Sequence, residues 1–161
     1  MTLRRPLTLI NGIMKLLPIG DRLPSDDIGA RVGRTTNQSI PNVSNTAISF
    51  NVSRYNTNQI WDSGSPTRLT CKTAGKYLIG GCFRFEGNTV GSRFLIIQWN
   101  GVSAIVVGES TGSSTISNAS CVYSLAVNDY VQMIAFQNSG QSLNILYEPL
   151  FTPEFYMQLL A

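Results

Sequence analysis

Histidine is absent from the 161-residue sequence. That removes the commonest general base and the commonest metal ligand, and a Ser-His-Asp triad cannot be assembled. Charge is scarce too: Asp, Glu, Lys and Arg make up 13% of the chain, against about 25% in an average soluble domain. Ser, Thr, Asn, Gln and Gly fill the difference, a composition that suits an extracellular or virion β-protein better than a cytosolic enzyme. Cysteine is limited to Cys71, Cys82 and Cys121, with no Cys-x-x-Cys spacing. The odd count and the spacing argue against a disulfide framework or a zinc site, and the three read as small buried hydrophobes with free thiols. No apolar run approaches the ~20 residues needed to cross a bilayer. Arg4 and Arg5 precede apolar residues, but Asn11-Gly12 and Lys15 interrupt the run and no small-residue cleavage site follows. The expectation is synthesis in a cytoplasm without a secretion signal.

Acidic residues are few and scattered. A glycoside-hydrolysing pair needs two carboxyls some 5–10 Å apart. Asp26-Asp27 fall in a turn-rich stretch and the remaining acids mostly flank turns. No catalytic residue, cofactor or metal ligand is therefore assigned, and the chain is not expected to be an enzyme. No Asp-x-Asp-x-Asp loop marks a calcium site; Asp62 and Asp129 are the carboxylates to examine, with a turn role the favoured reading. The net charge of +3 is too small to imply nucleic-acid binding, but its distribution is uneven. Every Lys and Arg lies at or before Arg93, and after it come only Glu109, Asp129, Glu148 and Glu154. Arg4, Arg5, Lys15, Arg22, Arg31 and Arg34 precede residue 35, against Asp21, Asp26 and Asp27. A basic arm on a nearly neutral body suggests attachment to an acidic surface.

Read along the chain, Pro6 to Ile10, Asn11-Gly12 and Ile13 to Leu17 form a hairpin pattern, because both central positions of a type I′ turn need φ > 0. Gly, Pro, Asp and Ser then dominate from Pro18 to Gly33, which reads as a linker. A train of short strands follows, expected at Thr46–Asn51, Thr67–Lys72, Lys76–Phe85, Arg93–Trp99, Val102–Glu109, Ala119–Val127, Tyr130–Gln137, Leu143–Tyr147 and Glu154–Leu160. Gly, Asn, Ser or Pro punctuates nearly every gap and no helical period is sustained, so the class is an all-β sandwich or barrel. The division expected is an anchoring arm over residues 1–36 and a globular domain over 37–161. Strands with one wet face alternate apolar and polar residues. Arg93 to Trp99, Val131 to Phe136 and Cys121 to Val127 are instead apolar on both parities. Contact with further subunits would cover the second face.

The ordered set Phe50-Asn51, Trp61-Asp62, Arg68 to Cys71, Ala74-Gly-Lys-Tyr-Leu-Ile79, Asn100-Gly101, Leu125 with Asp129-Tyr-Val131, and Phe155 with Leu159-Leu160 resembles the trimeric jelly roll of tumour necrosis factor and of the globular head of complement's first component. The resemblance covers about residues 40 to 161. It departs from the family pattern at Asn128, where Gly is usual, and at Trp61, where Tyr is commoner. It implies a jelly-roll β-sandwich, a homotrimer, and a last strand in the middle of the inner sheet beside the first. Arg5 to Gly12 followed by Leu17 to Asp21 is similar to leader segments of phage structural proteins, where a hairpin precedes a fibre or knob module.

Together these resemblances imply a structural protein of a virus particle: a phage capsid decoration (cement) or head-fibre protein held to a capsid, neck or baseplate protein by its N-terminal arm. The alternative is the receptor-binding knob of a tail or baseplate fibre contacting host surface glycan, with Trp61, Trp99 or Tyr55 as stacking aromatics. Neither reading involves nucleic acid or a membrane. Candidates for the core or trimer interface are Tyr77, Phe83, Phe85, Phe94, Ile96, Trp99, Tyr123, Leu125, Met133, Phe136, Phe155 and Leu159. Candidates for the anchor are Arg4, Arg5, Leu7, Leu9, Ile13, Leu16 and Arg22.

Overall fold

The computed structural model describes residues 27–111, 116–149 and 153–160, together with the backbone of two N-terminal strands, 7–10 and 13–16. Those strands, β1 (Leu7–Ile10) and β2 (Ile13–Leu16), pair antiparallel from Leu7↔Leu16 to Ile10↔Ile13. This is the register a two-residue Asn-Gly connection dictates; the turn itself lies outside the described residues. The hairpin is a sheet of its own.

The body begins at β3 (Gly29–Gly33), followed by β4 (Gln38–Ile40), β5 (Thr46–Ala47) and β6 (Val52–Asn56). The longer strands come later: β7 (Arg68–Thr70), β8 (Gly75–Phe85), β9 (Ser92–Trp99), β10 (Ser103–Thr111), β11 (Ile116–Leu125), β12 (Tyr130–Gln137), β13 (Leu143–Leu146) and β14 (Glu154–Leu159). One sheet runs β10-β9-β12, with β5 and β7 pairing successive stretches of β12. In the other, β8 carries β11 along one edge while β14 and β13 share the opposite edge. From β14 the sheet continues to β3 and β6, and from β13 to β4. The C-terminal strand is therefore central, flanked by β8 and β3.

The linker expected over residues 18–33 is corrected at its end. Gly29–Gly33 is a strand paired on both edges, and Ala30 and Val32 are fully buried. Its short Gly-Ala-Arg-Val-Gly pattern resembles a turn-rich segment, but β14 and β6 supply the ladder bonds that make it a strand. The strand expected at Thr46–Asn51 is likewise corrected: only Thr46–Ala47 is strand, residues 48–51 are not, and the next strand, β6, begins at Val52 beyond the expected bounds.

Alternation along each strand fills the space between the sheets. Tyr77, Ile79, Phe83 and Phe85 of β8, Leu95 and Ile97 of β9, Met133 and Ala135 of β12, and Phe155 and Met157 of β14 form one buried cluster. Phe50 stacks on Phe155, with centroids 5.7 Å apart. Gly81 leaves no room for a side chain: an added Cβ would stand 2.6 Å from Met133 Sδ of the other sheet and 2.8 Å from the Glu154 carbonyl of the neighbouring strand. Asn100-Gly101 forms the β9–β10 turn, with φ of 50° and 72°, as a type I′ turn requires.

Candidate functional site: a groove on the seven-stranded sheet

Positions that alternate out of the core place Arg31 of β3, Leu78 and Cys82 of β8, Asn118 and Ser120 of β11, and Glu154, Tyr156 and Gln158 of β14 on one open face. With Tyr55 of β6 they line a groove of about 560 Å³. At Gly80, opposite Tyr156, an added Cβ would stand 2.4 Å from the Tyr156 hydroxyl oxygen. Glycine there lets the phenol lie flat over the sheet.

At one end of the groove, the Glu154 side chain is only 4% exposed and lies between two arginines that are 45% and 39% exposed. Arg31 Nε donates to Oε2 at 3.0 Å. Arg54 donates through Nε at 3.0 Å and Nη2 at 2.8 Å, both to Oε1. A buried carboxylate is tolerable when its lone pairs are filled in this way. Cys82 lies beside it, and burial pushes its thiol pKa up, which keeps it protonated at neutral pH. A second ion pair, Arg84 with Glu148, also lies on this sheet. Sequence inspection missed the Glu154 site because its partners lie 100 and 123 residues away. The one legible signal was an acid heading an otherwise apolar strand.

The groove face ends at one side of the sandwich. β10 and β11 are the outermost strands of their sheets and lie side by side, with Ser110 Oγ 2.9 Å from Ser117 Oγ. Val107, Ile116 and Val122 are exposed along this edge, and Glu109 is the only charged residue in either strand.

The twelve core or interface candidates divide by location. Tyr77, Phe83, Phe85, Leu125, Met133 and Phe155 are buried within the chain's own sandwich. Tyr123, Trp99 and Leu159 are partly buried and pack against that core, with Trp99 and Tyr123 in ring contact at 6.3 Å. Phe94, Ile96 and Phe136 are half-buried on the outer side of the five-stranded sheet, where Phe94 and Phe136 meet at 5.8 Å. The two-sided apolar pattern of β9 and β12 is thus real, and its second face is partly covered by its own side chains. Leu7, Leu9, Ile13 and Leu16 lie on the N-terminal hairpin; Arg4, Arg5 and Arg22 lie outside the described residues. All three cysteines are free.

The carboxylates examined for calcium have protein partners. Asp129 accepts from Asn100 Nδ2 and from the Ala126 N–H, each at 2.8 Å. These bonds, the Asn100 one first, hold its carboxyl below the ordinary carboxylate range. Asp62 Oδ1 accepts the Gly64 N–H at 2.9 Å. Among the described residues no cluster of three Asp, Glu, Cys or His side chains forms, and no helix is long and apolar enough to cross a membrane. Of the three aromatics named for glycan contact, Tyr55 lines the groove, Trp99 lies against the core, and Trp61 borders a separate polar cleft.

No family model and no curated protein matches the chain. Solved structures do match its architecture. The globular domain of zebrafish complement 1qA protein is similar at 16% identity, with TM-score 0.59, over 83% of this chain and 98% of that one. Murine APRIL is similar at 9% identity, with TM-score 0.64, over 83% and 99%. Eiger TNF from S. frugiperda is similar at 9% identity, with TM-score 0.59, over 84% and 94%. At these identities the likeness is one of fold: an all-β jelly roll of the tumour necrosis factor and complement-1q kind.

Proposed function

We propose that the chain is a structural, non-catalytic protein of a virus particle: a homotrimeric jelly-roll knob that decorates a capsid, neck or baseplate and is attached through the residues preceding β3. The observation that supports the trimer is an apolar edge of Val107, Ile116 and Val122 that adjoins the groove, with Val122 standing opposite the groove residue Leu78. Contact of one copy's edge with the next copy's groove is heterologous, and such contacts form rings when the rotation closes. Three copies close the ring that the family resemblance implies. The charges agree with this docking, because Glu109 on the edge would approach the half-exposed Arg31 and Arg54 of the groove. Burying Val107, Ile116 and Val122 adds about 25 cal/mol per Å² of apolar surface removed from water.

The attachment role rests on the N-terminal hairpin, which belongs to neither sheet of the body, and on the bases around it. An isolated two-stranded hairpin is marginal in water, so a docked partner would supply its order. The test is incorporation into particles of the virus that encodes the chain. Full-length protein should co-purify with particles, and protein lacking residues 1–26 should stay trimeric but not join them. Normal decoration by the truncated protein would move the anchor to the jelly roll and remove this reading.

A further inference from the structure

The polar cleft around Trp61 is distinct from the groove and goes unused in the reading above. Asn56, Gln59, Trp61, Asp62, Ser63 and Lys72 line about 360 Å³, the low end of the ~300–1,000 Å³ typical of small-molecule sites. Every lining side chain except the indole carries a polar terminus: two amides, a carboxylate, a hydroxyl and an ammonium. We propose that this cleft is a sugar-binding site that takes one exposed pyranose ring of a surface glycan, stacked on Trp61.

A pyranose offers an apolar C–H face and a rim of hydroxyls that both donate and accept. The cleft offers the complement. Trp61 packs against the core, and its indole N–H points to the Pro66 carbonyl at 3.4 Å, which leaves ring hydrocarbon for stacking. Its backbone is held twice by one side chain: Trp61 N donates to Asn56 Oδ1 at 3.0 Å, and Asn56 Nδ2 donates to the Trp61 carbonyl at 2.8 Å. A platform fixed in this way loses little freedom on binding. Asp62 Oδ1 is held by Gly64, while Oδ2 and the amide of Gln59 can meet vicinal hydroxyls in the planar geometry those groups favour. Lys72 forms no ion pair among the described residues, so its ammonium can donate to a ring hydroxyl or a sugar carboxylate.

The backbone supplies a second argument. Asn58 and Gln59 are consecutive non-glycine residues in the left-handed region, with φ of 59° and 52°. Gln59 has no side-chain reason to adopt this region, and backbone strain of this kind concentrates at ligand sites. Asn58 Nδ2 donates to Thr73 Oγ1 at 3.1 Å and helps hold the conformation. The result sets Gln59 at the cleft wall.

The inference does not depend on the chain being carried by a virion, and it can fail separately. The experiment is saturation-transfer NMR on the full chain with the methyl glycosides of glucose, galactose, mannose, N-acetylglucosamine and N-acetylneuraminic acid, each up to about 10 mM. At least one should receive transfer, strongest on its ring C–H protons, with a dissociation constant on the order of 1 mM. Gln59→Ala with Lys72→Ala, both at exposed positions, should weaken that binding at least about tenfold with the melting temperature unchanged. Trp61→Phe, which keeps an aromatic face, should retain part of it. Absence of transfer from all five glycosides overturns the proposal. So does transfer that persists undiminished in the double variant.

Discussion

Arg54 and Glu154, 100 residues apart in sequence, meet at 2.8 Å on the open face of the seven-stranded sheet, and Arg31 completes the arrangement from the other carboxylate oxygen at 3.0 Å. The carboxylate is buried and both cations are half-exposed, so the two sides of the network should respond unequally to mutation. Removing one arginine leaves Glu154 with the other. Removing both strands a buried charge, a change that costs ~3–5 kcal/mol when burial is complete. Arg31→Met or Arg54→Met alone should cost about 1 kcal/mol and the pair about 3 kcal/mol, more than the sum. Urea denaturation of the single and double variants measures this coupling, and simple additivity would show that the network is not cooperative.

Where the chain can be shortened depends on β3. Removing residues 1–26 deletes the hairpin and leaves every strand of the sandwich in place. Extending the deletion through Arg34 also removes Ala30 and Val32 from the core and the ladder bonds to β14 and β6. The first truncation should melt cooperatively by circular dichroism at the full-length temperature; the second should fail to give soluble folded protein. Deleting Phe155 to Ala161 should fail in the same way, because β14 lies between β8 and β3.

Asp129 sets a pH dependence with a defined sign. Its folded pKa is depressed by the Asn100 amide and the Ala126 N–H, so its contribution is present above the unfolded value of about 3.9. That contribution is lost as pH falls through the lower folded pKa. The melting temperature of the wild type should exceed that of Asp129→Asn at pH 6, and the gap should shrink progressively below about pH 4. A gap independent of pH would mean that the carboxylate charge is irrelevant.

Burial pushes the pKa of Cys71, Cys82 and Cys121 up, so little thiolate is present at neutral pH. Alkylation of native protein should be slow, with Cys71, the buried one of the three, slowest. Denatured, unreduced protein should take up three alkyl groups. A mass short by two groups would reveal a disulfide.

Much of the body was legible from sequence because its long strands carry their own pattern. Tyr130 to Gln137 was placed with the observed bounds, and β8, β9 and β14 within one residue at each end, since their alternating apolar residues are what the core requires. The misses share a cause. β3 presents two glycines around a three-residue core segment, and Val52 to Asn56 has a mostly exposed, polar composition; both become strands through partners distant in sequence. The groove was illegible for the same reason, because Glu154 acquires its arginines only when β14, β3 and β6 are aligned. Trp61 was visible as an aromatic with a possible surface role. What distinguished it from Trp99 and Tyr55 was the polar cleft, which forms only when the 56–63 segment and Lys72 come together.

The central claim is that one copy's β10–β11 edge occupies the next copy's groove and that three copies close the ring. Sedimentation equilibrium at micromolar concentration tests it on the full chain and on Val122→Arg, a change at an exposed edge position that leaves the core intact. The wild type should sediment at three times the 17.6 kDa chain mass, and the variant as a folded monomer with an unchanged far-ultraviolet spectrum. A wild type that sediments as a monomer or dimer would contradict it.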